Sequence, residues 1–232
     1  MIVKGFLLIL FLFAAQITAQ ERSEKLPPFI ETSGEASVTA RPDRAQIDLG
    51  VVTQANTSQA AAEQNARKLE ATLSSLRQLL GTGADLKTIS YALQPNYRYP
   101  KEGGEPQITG YTATNVVRVT LDDLDRVGTV IDTATQAGAN RIQNLKFMLK
   151  REDVVQAQAL REAATRARSK ADALASALGL KILRVLSAVE SGPGVIPVRD
   201  VAFARTEAAA TPIEPGTIEV RAIVNLKVEV TP

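Results

Sequence analysis

The end of the chain constrains the fold more than any other stretch. Ile218, Val220, Ala222, Val224, Leu226, Val228 and Val230 alternate without a break with mainly polar residues. A period of two over that length suits a β-strand, whose side chains point to opposite faces, and does not suit a helix. One face must be buried and the other wet, as in an antiparallel sheet covered on one side. Ala45, Ile47, Leu49 and Val51 repeat the pattern, alternating with Arg44, Gln46, Asp48 and Gly50. A preceding strand is set off at Arg41–Asp43, where Pro42 cannot continue a ladder.

Two long helices supply the cover. Asn56 or Thr57 caps the first, with Ala62, Ala66, Leu69, Leu73, Leu76 and Leu80 as its expected buried stripe and Gly81 as its stop. The second runs from about Asp153 to Leu178, expected to bury Leu160, Ala163, Ala167, Ala171, Leu174 and Leu178 and to carry the exposed pairs Glu162/Arg166 and Arg168/Asp172. Between them lie strands at Leu86–Gln94, Tyr111–Leu121 and Arg141–Leu149. A shorter helix is capped by Asp122 or Asp123, buries Leu124, Val127, Ile131 and Ala134, and ends at Gly138. A strand at Ile182–Val189 precedes the terminal one. The predicted class is α+β, antiparallel-rich sheets with amphipathic helices packed on one face.

The N-terminus reads as an address. Lys4, an apolar run from Phe6 to Ala15 and small or polar residues ending at Ala19 make the tripartite signal-peptide layout, too short in its apolar part to span a bilayer. Residues 1–19 are the expected signal peptide and residues 20–28, closed by Pro27 and Pro28, a linker. Residues 29–232 form one domain, with a mobile loop at about 191–216, rich in Gly, Pro and Ala. No Cys stands at the junction to be lipidated, so no stable membrane anchor is expected after cleavage.

Composition excludes much chemistry. The 232 residues contain no His, Cys or Trp, which removes thiolate nucleophiles, disulfides, Cys/His metal sites and Ser-His-Asp triads. No Ser is followed three residues later by Lys. Asp122, Asp123 and Asp125 lack the glycine and closing glutamate of a calcium loop. Carboxylate chemistry remains, without the Trp platforms common in sugar sites. The formal charge of +2 is too small to draw in nucleic acid. No catalytic residue, cofactor or metal site is expected.

The blocks SGEASVTARPDRAQIDLGV, ITGYTATNVVRVTLDDLDRVGTVIDTATQAGAN, LREAATRARSKADALASALG and TPIEPGTIEVRAIVNLKVEV resemble, in order, the signature blocks of the SIMPL-domain family. That resemblance spans Thr32 to Val230. It implies a secreted or periplasmic bacterial protein, similar to periplasmic immunogenic proteins and to a relative linked with oxidative stress. It implies no known reaction, a family domain of unknown function, and at least one ring-like or channel-like homo-oligomer.

The tyrosines fit that last implication. Tyr91, Tyr97, Tyr99 and Tyr111 all fall on the third strand, its hairpin connection and the start of the fourth. Half-buried packing accounts for Tyr91 and Tyr111. Tyr97 and Tyr99 stand beside Pro95, Pro100 and a glycine pair, in a projecting loop from Gln94 to Gly110, where rings serve an interface better than a monomer. The expectation is a non-enzymatic envelope protein that forms a homo-oligomer. The alternatives are a monomeric ligand-binding module and a carboxylate-based hydrolase. The residues name no ligand or client.

Overall fold

A computed structural model describes residues 27–81, 84–100, 103–191, 195–198, 211 and 213–232. The expected signal peptide, most of the linker and most of the loop at 191–216 lie outside the described residues. In chain order the elements are β1 (Phe29–Ala40), β2 (Arg44–Ala55), α1 (Ser58–Leu80), β3 (Asp85–Arg98) and β4 (Gln107–Leu121). A 3-10 turn at Leu124–Arg126 then leads into α2 (Val127–Ala137), followed by β5 (Arg141–Met148), α3 (Glu152–Ala177), β6 (Lys181–Ser191), β7 (Val195–Val198) and β8 (Thr217–Thr231). The fold is α+β.

Two antiparallel sheets form, one ordered β1-β8-β6 with β7 also on β8, the other β3-β4-β2-β5. The terminal strand β8 is central in the first sheet, flanked by β1 from Phe29↔Glu229 to Ala40↔Ile218 and by β6 from Lys181↔Thr231 to Ser191↔Ile223. Its inward residues, Ile218 to Val230, are all buried and its outward ones are half-exposed. The strict alternation thus reflects one face under α3 and one face in water. The pairing of β7 with Val220 to Thr217 corrects the expected loop, since part of it is sheet.

α3 lies on the first sheet through Ala159, Ala163, Ala167, Ala171 and Ala175, a strict i+4 stripe. Alanine lets the helix backbone come down onto β1, where Thr32 Oγ1 donates to the Ala167 carbonyl at 2.8 Å. The expected stripe is corrected at its ends: Leu174 and Leu178 are exposed, because so close an approach leaves no room for leucine beneath the helix. Arg168 pairs with Asp172 as expected. Arg166 instead donates to the Glu35 carbonyl.

α1 and α2 cover the second sheet, over Ala45, Ile47, Leu49, Val119 and Leu121. Thr57 caps α1, accepting from the Ala60 N–H, and Gly81 ends it at φ 88°. Its buried face is Ala61, Asn65, Thr72 and Leu76, rotated from the expected leucine stripe; Ala66 is exposed. The polar members donate to nearby carbonyls, while Asn65 Oδ1 is buried with no hydrogen-bond partner among the described residues. Asn65 Nδ2 donates to the carbonyls of Val51 (2.7 Å) and Ala113 (3.1 Å), and Thr72 Oγ1 to that of Lys68. Gly138 ends α2 at φ 127°, as expected. Neither aspartate caps α2 through its side chain; Asp122 is instead held by Arg44 and Lys150.

Candidate functional site

β2 ends at Ala55, opposite Tyr111, but β3 and β4 continue beyond it as a two-stranded ribbon paired through Asn96↔Gly110, Tyr97↔Ile108 and Arg98↔Gln107. The expected hairpin connection from Gln94 to Gly110 is therefore strand at both ends, through Arg98 and from Gln107. Pro95 does not stop β3 because β3 is an edge strand, whose outer N–H has no ladder partner to lose.

The ribbon leaves the sheet at a built junction. The register shifts between Asn96 and Tyr97. Asn96 Oδ1 accepts from Thr112 Oγ1 at 2.8 Å, and the Asn96 carbonyl accepts from Thr109 Oγ1 at 3.2 Å. Gly110 is buried at the end of β2, where a Cβ would stand 2.9 Å from the Ala55 carbonyl oxygen. Such contacts fix the direction in which the ribbon points.

On this support Tyr97 and Ile108 face each other across the strands, each 51% exposed, and Tyr99 lies beyond Arg98 at 72%. Tyr111 is half-buried at the ribbon's base, as expected. Tyr91, opposite Asn115, is exposed rather than half-buried, because α1 covers β2 and β4 more fully than the outer strand β3. Of the four tyrosines, the structure brings Tyr97 and Tyr99 together near the tip. Ile108 was missed. Its signal was the short alternation Ile108, Gly110, which an assumed loop hid.

The charged groups do other work. Asp48 and Arg118 pair across β2 and β4 on the face opposite the helices, at 2.7 and 2.9 Å. The Arg118 hydrogen bonds hold the Asp48 carboxyl below its usual range. Hydrogen bonds from Arg44 and Lys150 lower Asp122 to about 2. Asp85 and Asp153 are lowered by Lys87 and Arg151. These shifts keep carboxylates charged, the opposite of what a general acid needs. Among the described residues no group of three acidic side chains is placed to hold a metal ion. A pocket of about 290 Å³ opens beside Arg44, Asp85, Asp122 and Arg126.

No helix among the described residues is long and apolar enough to cross a membrane. Residues 30–228 match the family model SIMPL, described as a protein of unknown function (DUF541). The 26 kDa periplasmic immunogenic protein of Brucella melitensis is 31% identical over 217 residues, covering 91% of this chain and 84% of that one. The uncharacterized protein YggE of Edwardsiella ictaluri is 32% identical over 177 residues, 75% of this chain and 72% of its own. YggE of Escherichia coli K12 is 30% identical over 168 residues, 72% and 68% of the two chains. With a family model spanning nearly the whole described domain and relatives matching along most of their length, the chain belongs to the SIMPL family.

Proposed function

We propose that this chain acts without catalysis, as an exported envelope protein that assembles with copies of itself through the β3–β4 ribbon. The observation that carries the reading is the ribbon: a backbone held in direction at its base, with Tyr97, Tyr99 and Ile108 exposed on it. A monomer gains nothing from apolar rings held in water. An interface gains about 300 Å² of buried surface from two tyrosines, several kcal/mol at about 25 cal/mol per Å² of its apolar part. The name of the Brucella relative supports a periplasmic location, as does the signal-like N-terminus. A role in stress would follow from what the assembly holds, not from a reaction.

The test replaces Tyr97 and Tyr99 together by Ser. The expected result is a chain that keeps its folded circular-dichroism spectrum, with a solution mass shifted toward one chain and a melting temperature lowered by the lost association. An unchanged mass would reject the ribbon as the contact.

The 290 Å³ pocket favours a second reading, a ligand-binding module, because its arginines and aspartates offer both signs to a small dipolar molecule. A saturable thermal shift in a monomeric protein would support that reading over assembly.

A further inference from the structure

The flank of α3 overhangs the edge of β1 opposite β8, which pairs with no strand among the described residues. Lys170 Nζ donates to the Ser33 carbonyl at 2.7 Å and Arg166 Nη1 to the Glu35 carbonyl at 2.8 Å, so carbonyls on that edge are already capped by side chains. Capping blocks the addition of another strand there. Beside the overhang lies a shallow cavity of about 450 Å³, wide open to solvent, between Thr32, Ser33, Lys170, Ala173 and Leu174. Leu174 is 46% exposed and Leu178, one turn further on, is more so.

Resting on the assembly reading above, we propose that this cavity receives the aromatic tip of the ribbon from a second copy. The chemistry of the two surfaces matches. The cavity has apolar walls and one ammonium, and the face of a tyrosine ring suits both, packing on Leu174 and Ala173 while lying near the Lys170 charge. Its volume falls within the range of roughly 300–1,000 Å³ that holds a compact ligand, ample for an aromatic side chain. The ribbon offers apolar area with no cavity, and α3 offers a cavity with apolar area left uncovered. Because the Ser33 and Glu35 carbonyls are capped, insertion of side chains suits this part of the edge better than strand addition.

The placement also determines the kind of assembly. The ribbon belongs to one sheet and the cavity to the other, so each copy presents one of each and the contact is head to tail. Head-to-tail contacts close into a ring when the rotation permits. The chain's own leader is a poorer occupant. Residues 20–26 read QERSEKL, four charged side chains and one large apolar one.

The chain has no cysteine, so engineered thiols report without background. Tyr99→Cys protein is mixed with Leu174→Cys protein and treated with a flexible bis-maleimide; Gln64→Cys, exposed on α1, replaces Leu174→Cys in the control. The expected result is a cross-linked pair in the first mixture and none in the control. Separately, Leu174→Arg should lower the solution mass to that of one chain while the folded circular-dichroism spectrum is kept. If wild type is assembled but Leu174→Arg keeps its mass and the cross-link fails, the cavity proposal is overturned and the assembly reading stands. If wild type is a single chain, both fall. If deleting residues 20–26 abolishes assembly while Tyr99→Cys gives no cross-link to Leu174→Cys, the leader is the occupant and the proposal fails.

Discussion

Gly34 of β1 lies directly against the backbone of α3 at Ala163, so that a Cβ on Gly34 would overlap the Ala163 carbonyl oxygen and the Ala167 nitrogen. Neither obstacle is a side chain that could turn aside. The first sheet and its helix are joined here at main-chain distance, with the Thr32 hydroxyl bonded to the Ala167 carbonyl one step along. Gly34→Ala should therefore push α3 from the sheet and cost about 1–3 kcal/mol, as overpacking does elsewhere. Ser37→Ala, on the exposed face of the same strand, serves as the control. Urea midpoints for the two variants check this, and equal midpoints would show that α3 is not seated as described.

Asn65 joins α1 to two strands at once. Asn65→Asp replaces its donor amide with an acceptor facing the Val51 and Ala113 carbonyls, buried at 1% exposure. The expected loss is larger than that of Asn65→Ala, with the alanine variant costing about 1–3 kcal/mol. Equal losses in thermal or urea unfolding would mean that the amide donor is unimportant.

The Asp48–Arg118 pair stands on the face of the second sheet opposite the helices, its carboxylate buried and its guanidinium partly exposed. Arg118→Ala leaves a buried charge without its strongest partner and should cost about 1.5–3 kcal/mol. The double variant Asp48→Ala/Arg118→Ala should lose less than the two single losses combined, which a double-mutant cycle measures. Simple additivity would contradict the coupling.

Acid should act partly through Asp122. Its folded-state value near 2 lies below the ordinary 3.8, so ionised Asp122 favours the folded state. That contribution is complete above about pH 4 and is lost as pH falls toward about 2. Asp122→Asn removes it, so wild-type and variant melting temperatures should converge across that window. Asp122 is exposed, so the difference is small and should shrink further in high salt. A gap that widens on acidification would contradict the assignment.

The fold was legible where burial follows the chain's own period. β8 declared itself because it is central and covered on one face, and Gly81 and Gly138 marked helix ends because their backbones take φ values that other residues avoid. The face of α1 was misread since Asn65 and Thr72 are polar by type yet buried by hydrogen bonding, while Ala66 is apolar and exposed. The overhang of α3 was hidden for a similar reason. Leu174 and Leu178 look like core, but only the alanine stripe permits the approach that Gly34 allows. At the ribbon the tyrosines were legible and their setting was not, because Pro95 suggests a loop unless the strand is known to be an edge.

Asn96 tests whether the ribbon is held in direction. Asn96→Ala removes the Thr112 hydrogen bond at the junction. Amide exchange at residues 97, 98, 107 and 108 should quicken while β8 stays protected. Unaltered exchange in the ribbon would show that the junction does not hold it.

The central claim is assembly, and the mass of the mature protein in solution tests it most directly. Light scattering or sedimentation at micromolar concentration should give a discrete species of several chains, lowered in mass by Tyr97→Ser/Tyr99→Ser. A single-chain mass for the wild type across that concentration range would contradict the account.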